Sequence, residues 1–219
     1  MKIKILIILM IMGIIVSSRY IVKANESDMN LNGYIIYVDA GHGGKDNGAN
    51  NNDILEDSIN LSISTLLVEE LVNIGAYVYT SRDGDYDLAS NYDKNRKAKD
   101  LKKRVELINS IKPDLFISIH LNTYQNIKVK GGQVFYQDNE DSKLLAEILQ
   151  SKFNKLSLKD KKAKFGDYFL LNKSIPTGVL LECGFLTNSE DLKNLSNKSY
   201  QMKIVKNISK GIWEYFANK

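Results

Sequence analysis

Cysteine, proline and histidine are scarce in this chain of 219 residues, which has one cysteine, two prolines and two histidines. A single cysteine excludes an internal disulfide framework and a cysteine-rich zinc site. A chain of this length can fill one hydrophobic core but is too short for two ordinary domains. We therefore expect one globular domain, together with whatever the ends of the chain carry.

An excess of charge of one sign is also absent once the N-terminus is set aside. The chain has 30 basic and 26 acidic residues, but four basic residues and no acidic residue lie in the first 24 positions. The remaining 26 basic and 26 acidic residues leave the body neutral. A neutral body argues against affinity that comes from neutralising phosphates, so we expect no nucleic-acid partner.

The N-terminus has the pattern of an export signal. Two lysines precede an apolar run of twelve residues, 5–16, and a short polar stretch follows it. Spanning a bilayer takes roughly 20 apolar residues, so residues 1–24 favour a signal peptide, with an N-terminal membrane anchor as the alternative. We expect export across the cytoplasmic membrane, membrane contact only through this segment, a linker over 25–33 and a folded domain over 34–219.

Strand and helix patterns alternate along the body of the chain. Short β-branched and aromatic runs predict strands over 34–39, 77–80, 115–119, 133–136, 168–171 and 179–181. Apolar residues at helical spacing predict helices over 56–74, 101–111, 144–153 and 204–216, and Thr187 and Glu190 have capping-box spacing for one more. The alternation predicts an α/β fold: a single domain with a twisted, mostly parallel β-sheet and helices on both faces.

Both histidines come directly after apolar strands, His42 after the first and His120 after the third. Ligands bind outside the carboxyl ends of strands in an open α/β sheet. Glu182 ends the last predicted strand, where a buried carboxylate requires a partner, and Glu56 opens the helix that follows a glycine-rich loop. We therefore expect these four groups to converge at one edge of the sheet.

Two imidazoles and a carboxylate are typical ligands of a divalent metal, most often zinc, with a fourth position left for water. Such a metal polarises a carbonyl and lowers the pKa of bound water to about 7, and a second carboxylate can then transfer protons. The pattern leaves open which of Glu56 and Glu182 binds the metal. A helix-terminal acid and hydrogen-bonded histidines would also account for these residues without a metal.

Four motifs occur in order along the chain: Val-Asp-Ala-Gly-His-Gly-Gly at 38–44, Glu56, Ser-Ile-His-Leu-Asn at 118–122 and Leu-Glu-Cys-Gly-Phe-Leu-Thr-Asn at 181–188. Together they resemble the motifs of the zinc-dependent N-acetylmuramoyl-L-alanine amidases of the Amidase_3 type, which are bacterial cell-wall hydrolases. The similarity extends from about residue 34 to the end. The segments between the motifs most resemble the germination-specific spore-cortex branch, at residues 87–89, 101–109 and 132–136.

The resemblance implies that His42, Glu56 and His120 bind Zn²⁺ and that Glu182 is the catalytic glutamate, acting as general base and acid. It implies hydrolysis of the amide between N-acetylmuramic acid and the L-alanine of the peptidoglycan stem peptide. In the cortex branch this step prepares muramic acid for conversion to its δ-lactam. The implied location is the cell wall or, for cortex, the forespore intermembrane space. Some relatives rely on an accessory protein, and whether this chain needs such an activator stays open.

Other functions fit the sequence less well. A thiol hydrolase using Cys183, where relatives often carry valine, is disfavoured because Cys183 faces the core if its strand neighbour Glu182 faces the cleft. The glycine-rich loop lacks the spacing and hydroxyl of a phosphate-binding loop. A catalytically silent module that binds peptidoglycan or a partner is the main alternative. The charged loop 83–99 is interpreted as a rim of the substrate cleft.

Overall fold

The computed structural model describes residues 29–51 and 53–219 of the chain. The predicted export segment, 1–24, lies outside the described residues. Met29 and Leu31, which fall within the predicted linker, are buried, and the N–H of Leu31 donates to the carbonyl of Ile74 at 2.7 Å. Residues 29–33 therefore pack as part of the domain. Among the described residues, no helix combines the length and the apolar character needed to cross a bilayer.

Short extended segments alternate with helices along the chain, as expected. The strands within the described residues are β1 (Ile35–Ala40), β2 (Asn50–Asn51), β3 (Ile54–Leu55), β4 (Tyr77–Thr80), β5 (Leu115–Asn122), β6 (Gln133–Tyr136), β7 (Lys164–Phe165) and β8 (Gly178–Phe185). The helices are α1 (Glu56–Asn73), α2 (Arg96–Ile111), α3 (Glu140–Ser157), α4 (Phe169–Lys173), α5 (Ser189–Leu195) and α6 (Lys198–Ala217).

Six of the strands form one sheet in the order β4-β1-β5-β8-β6-β7. Every neighbouring pair is parallel except β6 and β8, which are antiparallel, so the predicted mostly parallel sheet is confirmed. The strands β2 and β3 pair with each other outside this sheet. Because β1, β5 and β8 are parallel neighbours, their carboxyl ends meet at one edge.

The sheet is covered on both faces because its central strands are apolar on both sides. Along β1, Ile36 and Val38 belong to one buried cluster and Tyr37 belongs to another. The first cluster includes apolar residues of α1, α3 and α6, and the second includes those of α2 and α4. The predicted placement of helices on both faces is therefore confirmed.

Several boundaries differ from the predictions. The predicted strand 168–171 is wrong: α4 begins at Phe169, and its Leu170 and Leu171 pack in the smaller cluster. A short apolar run does not distinguish a strand from one buried helical turn. Helix α2 begins at Arg96, inside the predicted loop, because charged residues such as lysine and arginine favour helix without showing apolar periodicity.

The predicted capping box at Thr187 and Glu190 is also wrong. Asn188 is the N-cap of α5, and its side-chain oxygen accepts from the N–H groups of Glu190 and Asp191, each at 3.1 Å. Thr187 instead accepts a hydrogen bond from the N–H of Tyr124. Both residue types suit an N-cap, and the long-range contact of Thr187 decides between them.

Candidate active site

The loop after β1 carries His42 in an unusual backbone conformation. His42 itself has φ +61°, a left-handed conformation that destabilises a residue with a side chain by roughly 1–2 kcal/mol. Two buried arginines hold the loop. Arg104 donates to the carbonyls of Ala40 and His42, both at 2.7 Å, and Arg82 donates to those of Ala40 and Gly41, both at 3.0 Å. These bonds hold the turn in a conformation that an isolated peptide would rarely adopt.

Arg104 is held in turn by two carboxylates. Its guanidinium lies 2.6 Å from Asp39 and 2.8 Å from Asp100, and the second carboxylate oxygen of Asp39 accepts from the hydroxyl of Ser118 at 2.6 Å. Burial raises the pKa of Asp39, but the charge of Arg104 and the Ser118 hydrogen bond outweigh burial and lower the pKa overall. The buried ion pair therefore joins α2 to β1, and the Ser118 hydrogen bond joins β1 to β5.

Glu56 brings the two histidines together. Its carboxylate oxygen Oε1 lies 3.1 Å from Nδ1 of His120 and 3.3 Å from Nε2 of His42. The two rings stand edge to face with centroids 4.9 Å apart. One ligand atom from each of the three residues can be chosen so that all lie within 4.8 Å of one another. The expected convergence of His42, Glu56 and His120 is therefore present in the structure.

Two glycines leave room for this cluster. A Cβ added at Gly41 would lie 2.3 Å from Cε1 of His120, and one at Gly48 would lie 2.6 Å from Oε2 of Glu56. Gly48 also has φ +67°, which favours glycine. Any side chain at either position would displace a member of the cluster, so the backbone forms a close cradle around the three groups.

The donor atoms fit a zinc-type ion. Two imidazole nitrogens and one carboxylate oxygen are a ligand set that zinc binds with a further position open to solvent. Nδ1 of His42 lies 2.9 Å from Oδ2 of Asp46, and this contact leaves Nε2 directed at the cluster. The Glu56 carboxylate accepts from the N–H groups of Ala49 (2.8 Å) and Leu121 (3.0 Å). Hydrogen bonds of this kind, from groups that do not touch the metal, orient the ligands in metal sites.

The electrostatics of the cluster favour a cation. Burial raises the pKa of Glu56, but hydrogen bonds and charge interactions with His120 and His42 prevail and hold its pKa well below the usual range. Burial lowers the pKa of His42, but its contacts with Glu56 and Asp46 prevail and raise it. Glu56 is therefore an anion surrounded by groups that stabilise its charge.

Glu182 lies beside the cluster on the neighbouring strand. Its backbone is paired with that of His120 across β5 and β8, so both side chains emerge at the same edge. The side chain is 8% exposed, and its Oε2 has no hydrogen-bond partner among the described residues. Burial raises its pKa to about 7; the charge of Glu56 acts in the same direction, whereas His120 and His42 act to lower the pKa. A carboxyl group with a pKa near neutrality can both accept and donate a proton.

All four predicted site residues line one cavity of about 380 Å³. Its rim includes Lys97 from α2 and Tyr168, which precedes α4. From the charged segment 83–99, Lys97 is the residue that lines this cavity. Asp46 also lines the cavity and was not predicted as part of the site, although a carboxylate four residues after His42 in a glycine-rich loop is a signal that could have identified it.

Cys183 lies outside the cavity. Its side chain is 4% exposed and packs in the larger apolar cluster, on the opposite face of β8 from Glu182. Burial, and then the charge of Glu182, raises the pKa of its thiol well above the usual range. A buried thiol of this kind is inert, which argues against a thiol hydrolase.

Comparison with known proteins gives concordant matches. A sequence model of the family described as N-acetylmuramoyl-L-alanine amidase matches residues 36–214. The germination-specific N-acetylmuramoyl-L-alanine amidase of Bacillus subtilis (strain 168) is 37% identical over 212 residues, which cover 92% of this chain and 89% of the relative.

Solved structures with similar folds agree with these matches. The structure of the CwlD amidase from Clostridioides difficile in complex with the GerS lipoprotein has a TM-score of 0.82 and 34% identity, over 85% of this chain and 100% of that one. The crystal structure of an N-acetylmuramoyl-L-alanine amidase from Clostridium difficile 630 has a TM-score of 0.77 and 28% identity, over 86% of this chain and 100% of that one.

Proposed function

This chain belongs to the N-acetylmuramoyl-L-alanine amidase family, and from that premise we propose that it cleaves the amide between N-acetylmuramic acid and L-alanine in peptidoglycan by zinc-dependent hydrolysis. The observation that carries the proposal is the position of Glu182 in the same cavity as His42, Glu56 and His120. The three grouped residues would hold the zinc. Glu182 would move the protons.

Each residue has a separate task in this proposal. Zinc, when bound, supplies Lewis acidity toward the amide carbonyl and acidifies water. Asp46 keeps Nδ1 of His42 engaged so that Nε2 faces the ion. The buried carboxylate of Glu182 takes a proton from the attacking water and returns it to the departing amine of L-alanine. The two residues on the rim, Lys97 and Tyr168, border the space where the substrate lies.

We place the reaction in spore-cortex maturation. The support is the 37% identity with a germination-specific amidase, which covers nearly all of both chains. Cleavage there would leave a free lactyl carboxyl on muramic acid, the group required for closing the muramic δ-lactam. Export through residues 1–24 would bring the enzyme to the cell wall or the forespore intermembrane space. That segment would be its contact with the membrane.

An accessory protein is part of the proposal. The related CwlD amidase was solved in complex with the GerS lipoprotein, so we propose that a protein of that kind assists this chain. A requirement for such a partner would appear as weak activity or weak zinc retention in the isolated protein. Adding the lipoprotein from the same organism would then raise both.

The test is incubation of the purified full chain with vegetative and cortex peptidoglycan, with added zinc or with a chelator, followed by mass analysis. Stem peptides with a free N-terminal alanine, released with zinc but not with chelator, are expected. If zinc and partner are supplied and cortex is bound without being cut, the chain is a silent binding module. Fragments cut at any other bond would contradict the proposal.

A further inference from the structure

A second concave surface lies next to the catalytic cavity along the same edge of the sheet. It has a volume of about 500 Å³, and we call it the lysine pocket. Its charged wall is formed by Lys161, Lys162 and Lys164, and its apolar wall includes Phe135 and Phe185. Nothing in the proposed chemistry uses these residues.

The lysine pocket adjoins the catalytic cavity. Asn122 lines both. Gln133, which lines the lysine pocket, is paired with Glu182 across β6 and β8. The ring of Phe135 lies 5.2 Å from that of Tyr168, which lines the catalytic cavity. The two spaces are therefore neighbours on the same side of the molecule.

The spacing suits a short peptide. Glu182 is on β8 and Lys164 is on β7, with β6 between them, so the two lie two strand spacings apart, or roughly 10 Å across the sheet. An extended chain spans about 3.5 Å per residue. A peptide whose first amide lies beside Glu182 would thus reach the lysine pocket after about three residues.

The charges of the lysine pocket are not neutralised from within. In the part of the chain that the structure describes, none of its three lysines forms an ion pair with a carboxylate. Lys161 is half-buried: its Nζ lies 4.8 Å from the Phe185 ring centroid and donates to the carbonyl of Gly131. Burial lowers the pKa of Lys161, and Lys164 and Lys159 lower it further, against the opposing charge of Asp191.

An anion would relieve this repulsion. The chain outside its first 24 residues has equal numbers of acidic and basic residues. The cluster of unpaired lysines in this pocket is therefore a local feature and does not reflect a basic chain. Lysine presents a flexible point charge, which suits a carboxylate whose position varies with the ligand's conformation. The phenylalanine rings supply apolar surface for the aliphatic parts of the same ligand.

We infer that the lysine pocket binds the free carboxylates of the stem peptide on the L-alanine side of the scissile bond. The enzyme would then prefer stems with free carboxylates over stems in which these are amidated. This inference rests on the proposed function, because that function places the scissile amide beside Glu182. The glycan side of the bond has no such charges in the unmodified polymer, so the lysines face the peptide.

The test uses two synthetic N-acetylmuramoyl peptides that differ only in whether the stem carboxylates are free or converted to carboxamides. The variant is Lys161→Met with Lys164→Gln in the full chain, and the control is Lys203→Gln, an exposed lysine on α6. Methionine keeps an aliphatic stem over Phe185. We expect kcat/KM for the free-acid peptide to fall about tenfold, as for one lost charge-assisted contact, and kcat/KM for the carboxamide to stay unchanged.

The results distinguish failure of the lysine-pocket inference from failure of the proposed amidase function. Equal losses on both peptides, or no loss on either, would overturn the inference and leave the amidase activity intact. If the parental protein, supplied with zinc and the accessory lipoprotein, cleaves neither peptide, the proposed function fails, and calorimetry with the acidic stem peptide and its carboxamide then decides the inference. Equal affinity for the two would overturn it. If the double variant does not fold, Lys164→Gln alone, at an exposed position of β7, replaces it.

Discussion

Oδ2 of Asp46 lies 2.9 Å from Nδ1 of His42, while Nε2 of the same ring lies 3.3 Å from the Glu56 carboxylate. The imidazole therefore bridges two acidic groups, with one nitrogen committed to each. This arrangement gives the ring one orientation and one neutral tautomer, in which Nε2 is free for a ligand bond. Asp46 thus acts on the proposed metal site without belonging to it.

Removing this support should weaken zinc binding. We expect Asp46→Ala to raise the zinc dissociation constant by roughly tenfold to a hundredfold, because the ring loses its fixed tautomer and orientation. Asp46→Asn keeps a single acceptor oxygen, which can serve His42 or the N–H of Gly48 but not both, so it should raise the dissociation constant less than Asp46→Ala does. Titration against a fluorescent zinc chelator measures both. An unchanged dissociation constant in Asp46→Ala would contradict this role.

Replacing the proton-transfer group should separate chemistry from metal binding. We expect Glu182→Gln to retain parental zinc content and to lose turnover by about a hundredfold or more. Metal analysis and release of stem peptide under single-turnover conditions measure the two quantities. The matched control is Cys183→Val, the next residue on β8, whose side chain faces the core and should leave turnover unchanged. Loss of zinc in Glu182→Gln would assign Glu182 to the metal instead.

The stability of the metal-free protein should depend on the ionisation of Glu182. Its pKa is about 7 in the folded state and 4.5 in the unfolded reference, because burial favours the neutral acid. The folded state therefore holds its proton over a range where the unfolded state has lost it. The protonated Glu182 thereby contributes to the free energy of unfolding. This stabilisation is fully present below about pH 4.5 and is lost as the pH rises through about 7, a loss of about 3 kcal/mol at most.

The neutral variant isolates this effect. Glu182→Gln lacks the titration, so its free energy of unfolding relative to the parent should rise between about pH 5 and about pH 8 in the presence of a chelator. Urea unfolding at the two pH values measures the difference, and other titrating groups cancel because both proteins contain them. A difference independent of pH would mean that Glu182 is ionised throughout this range in the folded protein.

Arg82 should be essential for the stability of the loop that carries His42. Its guanidinium donates to the carbonyls of Ala40, Gly41, Gly84 and Asp57, so it connects the loop of His42 with the first turn of α1, which carries Glu56. Lysine cannot reproduce this planar fork. We expect Arg82→Lys to lower the free energy of unfolding by about 2–3 kcal/mol, since buried carbonyls would lose their donors.

The matched control for Arg82 is Arg96→Lys. Arg96 pairs with Asp87 at a more exposed position, so its replacement should change the free energy of unfolding by less than about 1 kcal/mol. Denaturant unfolding of both variants, with zinc affinity measured in parallel, distinguishes the positions. Equal effects on stability would show that the carbonyl contacts of Arg82 do not hold the loop.

The sequence predicts part of this site and not the rest, for physical reasons. His42 and His120 could be placed at one edge because apolar strands and the direction of a parallel sheet follow from local patterns. Arg82 could not be found in this way, since three of its four acceptors, the carbonyls of Ala40, Gly41 and Asp57, belong to segments brought together only by folding. The helix α4 was missed because a single buried turn has too few residues to show a period.

The direction of β6 determines which part of the substrate cleft can vary among related proteins. Because β6 is antiparallel to β8 and begins opposite Glu182, the connection 123–132 leaves β5 and enters β6 at the same edge of the sheet. That connection contributes to the walls of both cavities and carries none of the proposed zinc ligands. Insertions or deletions there would reshape the space around a substrate while the ligand spacing stays constant. Relatives with different preferences for wall polymers should therefore differ first in the length of this connection.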